Sequence, residues 1–133
     1  MEPGAILFNL LSQAIPVVAL LGYVDKAQQP QVKIYPLRAP QNTPLPYVLY
    51  QVVSGQADAS AQCELPDTAR VQLSLFAATY AEIAILHQAC RTALHGREMG
   101  EVSIAFDGYQ ESFQDNATCY LRTQDYLLDG LTP

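Results

Sequence analysis

Tryptophan is absent from this 133-residue chain, cysteine occurs three times, and only 15% of the residues carry charge. Cys63, Cys90 and Cys119 are too few, and odd in number, for a secreted disulfide scaffold, so a reducing cytosol is the expected compartment. Basic residues are scarce, seven against thirteen acids. A sequence-independent grip on nucleic acid needs a surplus of Lys and Arg over phosphate, which excludes a dedicated DNA binder. Low charge comes here with 50% apolar residues, which excludes wholesale disorder. No P-loop, G-x-G-x-x-G, G-x-S-x-G or C-x-x-C is present to anchor a catalytic role. A long unbroken apolar run is missing as well. Ala5 to Val24 lacks charge over twenty residues, but Asn9, Ser12, Gln13 and Pro16 interrupt it. Glu2 stands where a signal peptide would place positive charge, so two short packed helices are expected, with no membrane role.

What is present suits one domain, residues 1–133, long enough to bury about two-thirds of its unfolded surface. Charge is unevenly placed. Residues 1–97 hold six acids and six bases, whereas residues 98–133 hold seven acids and one base, Arg122, so the net charge of −6 sits in the last quarter. Along the chain, Ile6, Leu7, Leu10, Leu11 and Ala14 recur at helical spacing over Gly4 to Ala14. Ile15-Pro16 ends that helix, and Pro16 to Leu21 forms a second, closed by Gly22. Asp25 to Gln31 reads as a loop, and Val32 to Tyr35 as a short strand stopped by Pro36. Prolines at 36, 40, 44 and 46 make the next segment stiff, extended and unable to pair as an interior strand.

Tyr47 to Val53 is β-rich and nearly continuous in apolar character. Ser54 to Asp67 reads as a mobile loop. Thr68 to Ala78 alternates cleanly, with Val71, Leu73, Leu75 and Ala77 on one side. Thr79-Tyr80-Ala81-Glu82 fits a capping box opening a helix that runs to about Leu94, with Gly96 beyond its end. Val102, Ile104 and Phe106 then alternate, and a final strand runs from about Thr118 to Leu128. The pattern predicts an α+β fold: an antiparallel or mixed sheet of about five strands, one long helix packed on a face, and a short N-terminal helical pair. Val48, Val52, Val71, Leu73, Leu75, Ile83, Leu86 and Leu94 are the expected core.

The chemistry-bearing residues give no reactive constellation. His87 and Cys90 share a helix face, with His95 two turns on, but a zinc site would need two more ligands from afar. Cys90 falls in the apolar stripe, the place of a small buried hydrophobe, and no orienting Asn or Asp adjoins it for nucleophilic work. Glu101, Asp107, Glu111 and Asp115 lack the spacing of a calcium loop and read as a solvated acidic face. Tyr35, Tyr47, Tyr50, Tyr120 and Tyr126 fall on strands, where an interface or plain β-propensity would equally put them. No catalytic, cofactor-binding or metal residue is assigned, and no enzyme activity is expected.

One string is more specific. Ile34-Tyr35-Pro36, Ala39-Pro40 and Pro44-Leu45-Pro46-Tyr47-Val48-Leu49-Tyr50-Gln51 resembles the tailed-phage tail-completion family, also called tail-to-head joining or neck proteins. Arg70-Val71-Gln72-Leu73-Ser74-Leu75-Phe76 looks like that family's central strand, and Ala93-Leu94-His95-Gly96 like its helix end. Tyr120-Leu121-Arg122-Thr123-Gln124-Asp125-Tyr126 looks like its closing strand, with an arginine near the start. Leu10-Leu11 and Val17-Val18-Ala19-Leu20-Leu21-Gly22 are similar to its N-terminal helical pair, so the likeness spans about residues 5–128. Two departures are a longer Tyr23 to Lys33 linker and the sharper split at Pro16.

The resemblance implies a non-enzymatic virion component found in the tail or neck, and in host cytoplasm during assembly. Such proteins form rings, usually of six, that cap the tail tube at its head-proximal end and receive the head-neck connector. Partners would then be further copies of the chain, the tail tube protein and the connector, with DNA passing through the channel unheld. Pro36 to Pro46 and the Ser54–Asp67 loop are the expected contact segments, and the acidic quarter either lines the channel or serves solubility. The alternatives are a neck adaptor or stopper, or a small cytosolic module binding a ligand on its tyrosine-bearing sheet.

Overall fold

The structure, a computed structural model, describes residues 2–56, 59–60, 63–64 and 67–131. Helix α1 (Pro3–Gln13) starts on a proline and stops where Ala14 turns extended, just ahead of Ile15-Pro16. Helix α2 (Ile15–Leu21) leaves it at a bend of 87°, and no single helix among the described residues is long and apolar enough to cross a membrane. Both helices turn their apolar sides inward, with Ile6, Leu7, Leu11, Val17 and Leu21 fully buried.

Strand β1 (Gly22–Val24) and strand β2 (Pro30–Val32) form a small antiparallel hairpin. The expected loop from Asp25 to Gln31 is thus shorter, and Asp25 explains why: its Oδ1 accepts the Ala27 and Gln29 amides, closing a tight turn. The expected strand from Val32 to Tyr35 is in fact two. Lys33 breaks it, donating its amide to Leu21 and accepting from Val48, and β3 (Ile34–Pro36) pairs parallel with β4 (Tyr47–Gln56). Pro36 is the last residue of β3 and not its stop. The proline segment after it lacks strand pairing but is not extended throughout; it turns over Pro40 to Thr43, where Thr43 donates to the Pro40 carbonyl, and Leu37 and Asn42 have positive φ. Leu45–Pro46 is cis.

Two short strands, β5 (Ala59–Ser60) and β6 (Cys63–Glu64), pair with each other inside the segment expected to be a mobile loop. Residues 57–58, 61–62 and 65–66 of that segment lie outside the described residues. Strand β7 (Asp67–Ala77) carries the alternation read from sequence: Ala69, Val71, Leu73, Leu75 and Ala77 are buried and the residues between them half-buried. Val71, Leu73 and Leu75 each contribute about 1.5–3 kcal/mol relative to exposure.

Helix α3 (Tyr80–Leu94) begins at the expected capping box: Thr79 Oγ1 accepts the Glu82 amide at 3.1 Å, while Glu82 returns a bond to the amide of Ala78, one residue before the cap. It ends before Gly96, whose φ of +75° suits a residue without a side chain. Strand β8 (Glu98–Met99), strand β9 (Val102–Gln114) and strand β10 (Cys119–Leu131) complete a sheet of order β3-β4-β7-β10-β9-β8. The expected architecture was right in class and short by a strand: the main sheet has six, parallel at β3–β4 and antiparallel elsewhere.

Helix α3 packs on β7, β10 and β9, and α1 lies beside it over β4, so all three helices share one face. Of the expected core, Val48, Val71, Leu73, Leu75, Ile83, Leu86 and Leu94 are buried. Val52 is not; it is 39% exposed. Helix α1 begins over Tyr50, where Gly4 meets the tyrosine ring.

Candidate assembly surface

The helix-covered face of β10 should be wholly apolar, yet Arg122, Gln124 and Tyr126 follow one another along it and are all buried. Burying a polar group is tolerable only when its bonds are made. Gln124 makes three. Its Nε2 donates to His87 Nδ1 and to the His87 carbonyl, both at 2.9 Å, and its Oε1 accepts from Tyr126 Oη at 2.8 Å. Burial lowers the His87 pKa, Arg122 and Arg91 lower it further, and Glu111 opposes them. A neutral ring is what accepting at Nδ1 requires.

Arg122 lies between the rings of Tyr80 and Tyr109, 5.6 and 5.1 Å from their centroids, and its Nη2 meets Glu111 at 2.7 Å. Tyr80 Oη also donates to Glu111. Together these contacts tie the outer strand β9 to the first turn of α3.

The residues singled out from sequence do not converge. His87 is held by Gln124, and His95 Nδ1 accepts the Phe106 amide at 3.0 Å. Cys90 is fully buried, which pushes its thiol up to about 12, and Cys119 is buried elsewhere. Among the described residues no three of His, Cys, Asp or Glu stand close enough to hold a metal ion. The tyrosines split likewise. Tyr126 is core, Tyr47 stacks on Phe76 at 4.8 Å, Tyr50 tilts against Phe8, and Tyr120 meets Tyr80 and Phe113. They do not make one ligand-binding face. The acids divide between two faces: Asp107 bonds Arg70 at 2.8 Å on the bare side, while Glu111 bonds Arg122 on the helix side.

What stands open is the sheet itself. The face away from the helices is small and polar at Gln72, Ser74, Thr123, Gln110 and Ser112, and it carries Asp107, Asp125 and Asp129. Its two edges are also open. On one, β3 covers β4 only from Val48 to Tyr50, leaving Gln51 onward without an outer strand among the described residues. Leu37, 69% exposed, stands at this edge with Val53. On the other, β8 covers β9 only at Val102 and Ser103. From Gly108 to Gln114 every residue of β9 but Gly108 is exposed, including Tyr109 at 51% and Phe113 at 46%. Sequence alternation stopped at Asp107, so this half of β9 was missed; the signal available was only the paired aromatics Tyr109 and Phe113.

No curated protein matches the sequence. Among solved structures, a chain of the virion of a native gene transfer agent particle shares the fold, with a TM-score of 0.67 at 14% identity over 96% of this chain and 92% of that one. The family model described as tail completion protein gp17 matches residues 8–124, the span that holds the proline-tyrosine string, the capped helix and the start of β10 with Arg122. The chain belongs to the tail completion protein gp17 family, a family of virion structural proteins.

Proposed function

We propose that this chain, acting as one domain over residues 1–133, forms a ring at the head-proximal end of the tail. There it terminates the tail tube and joins it to the head-neck connector. Its working place is the virion, reached from host cytoplasm during assembly. Membership of the tail-completion family over residues 8–124 carries this reading. The bare sheet face and the two open edges support it, since a structural ring needs surface and no reactive site. The test is negative-stain microscopy of the purified chain with and without tail tubes. Rings seated on the head-proximal tube ends are expected; rings that bind only the connector would replace this reading with a neck adaptor or stopper.

The bare face is the wall we assign to the channel. Asp107, Asp125 and Asp129 lie on it, and Arg70 stands between the first two, 2.8 and 3.7 Å from their oxygens. A wall with surplus negative charge repels phosphate, so DNA passes without sticking. Arginine at both Ser103 and Asp129, which face each other across β9 and β10, should slow DNA ejection, most at low salt. Ejection at unchanged rate and salt dependence would remove the channel assignment and leave the ring.

A further inference from the structure

The two edges of the sheet are stepped, and the steps are complementary. Pairing traces rows straight across it: Ile34, Val48, Leu75, Arg122 and Glu111 form one row, and Pro36, Tyr50, Leu73, Gln124 and Tyr109 another. On these rows β3 projects from one edge while β9 is bare on the other. Farther along, Gln56, Thr68, Asp129, Ser103 and Glu98 share a row, where β8 projects and β4 has no outer strand among the described residues. Each edge projects where the other is recessed.

From the matching rows we infer that neighbouring copies of this chain join edge to edge, β3 of one copy filling the recess along β9 of the next. The same step brings β8 into the recess along β4. This rests on the ring reading above and names the surfaces that close the ring. Copies in a ring are related by rotation without translation, so projection and recess must match at equal height, as they do here. Strand β9 runs opposite to β3, because β3 is parallel to β4 and three antiparallel steps separate β4 from β9. With strands along the ring axis, β9 therefore meets the next β3 antiparallel.

Two further features fit a second copy as occupant. Exposed edges are ordinarily blunted with lysine or proline, and Gly108 to Gln114 contains neither. Charge is complementary too: Lys33 and Arg38 bracket β3, while Asp115 stands at the end of the β9 recess, and Asp107 and Glu111 along it are paired within the chain to Arg70 and Arg122.

Tyr35 and Gln110 fall on one row of the bare face, with Leu49, Ser74 and Thr123 between them. In a Cys63→Ser background, the pair Tyr35→Cys and Gln110→Cys should cross-link under mild oxidation into a ladder of covalent oligomers that ends at the ring. The pair Leu49→Cys and Gln110→Cys, which lie on one row but would meet only if β9 lay directly on β4, should stay monomeric on a denaturing gel. Arg38→Glu, at an exposed position, should lower the ring fraction several-fold at low salt and recover as salt screens the repulsion. Rings that form normally with Arg38→Glu, or that cross-link only through the Leu49 pair, would overturn the edge joint and leave the ring reading intact. A wild-type chain that forms no ring, alone or on tubes, would overturn both.

Discussion

Replacing Gln124 by leucine is expected to destabilise the fold by about 3–5 kcal/mol, measured by urea unfolding. Leucine nearly conserves volume, so the loss does not come from a cavity. It comes from what is left behind. Tyr126 Oη loses its acceptor, the His87 carbonyl loses its side-chain donor, and Nδ1 of His87 loses the group that holds it. Each polar group orphaned in the core costs about 1–3 kcal/mol, more than the bond itself contributes, because water no longer reaches it. Tyr126→Phe is the comparison, since it removes one hydroxyl and orphans only Gln124 Oε1, for about 1–2 kcal/mol. Equal effects of the two substitutions, or a Gln124→Leu cost under about 1 kcal/mol, would mean that water already satisfies the network.

Gln124 also marks where the sequence is legible and where it is not. Strand β7 was readable because one face is covered and the other half-open, which writes a period of two directly into Val71, Leu73 and Leu75. The start of α3 was readable because capping is local: Thr79 and Glu82 bond amides within four residues of themselves. In β10 the same period of two places Arg122 and Gln124 on the inner face with Tyr126 and Leu128. Polar residues at inward positions are the sequence mark of a buried network, but their partners Tyr80, His87, Tyr109 and Glu111 are 11 to 42 positions away. The outer half of β9 left no mark because none of its residues is buried, and a strand without a buried face needs no alternation. Strand order is non-local in the same way, so the stepped edges are properties of the assembled sheet alone. Lys33 shows the opposite failure. A run of β-formers looks like one strand, and only a bond to Leu21 from outside the run divides it.

Gly130→Ala is expected to cost about 3–4 kcal/mol, read as a lower unfolding midpoint at unchanged m-value. Gly130 has φ of +89°, in the stretch of β10 where the register to β7 shifts between Asp129 and Leu131. A side chain there is strained before it touches anything. It would then be driven into the carbonyl oxygen of Glu101, with the Val102 Cα 3.5 Å away. Both obstacles are backbone, so no rotamer change relieves them. Gly96 separates the two contributions: its φ is +75°, but an added Cβ meets nothing within 4 Å, so Gly96→Ala should cost only about 1 kcal/mol. The difference between the two substitutions measures the steric part alone. It also bears on assembly, because the turn that Gly130 supports connects β8 to β9 and sets where β8 projects. Gly130→Ala protein that still folds should therefore form fewer rings than Gly96→Ala protein, and equal unfolding midpoints for the two would show that the Glu101 turn yields freely.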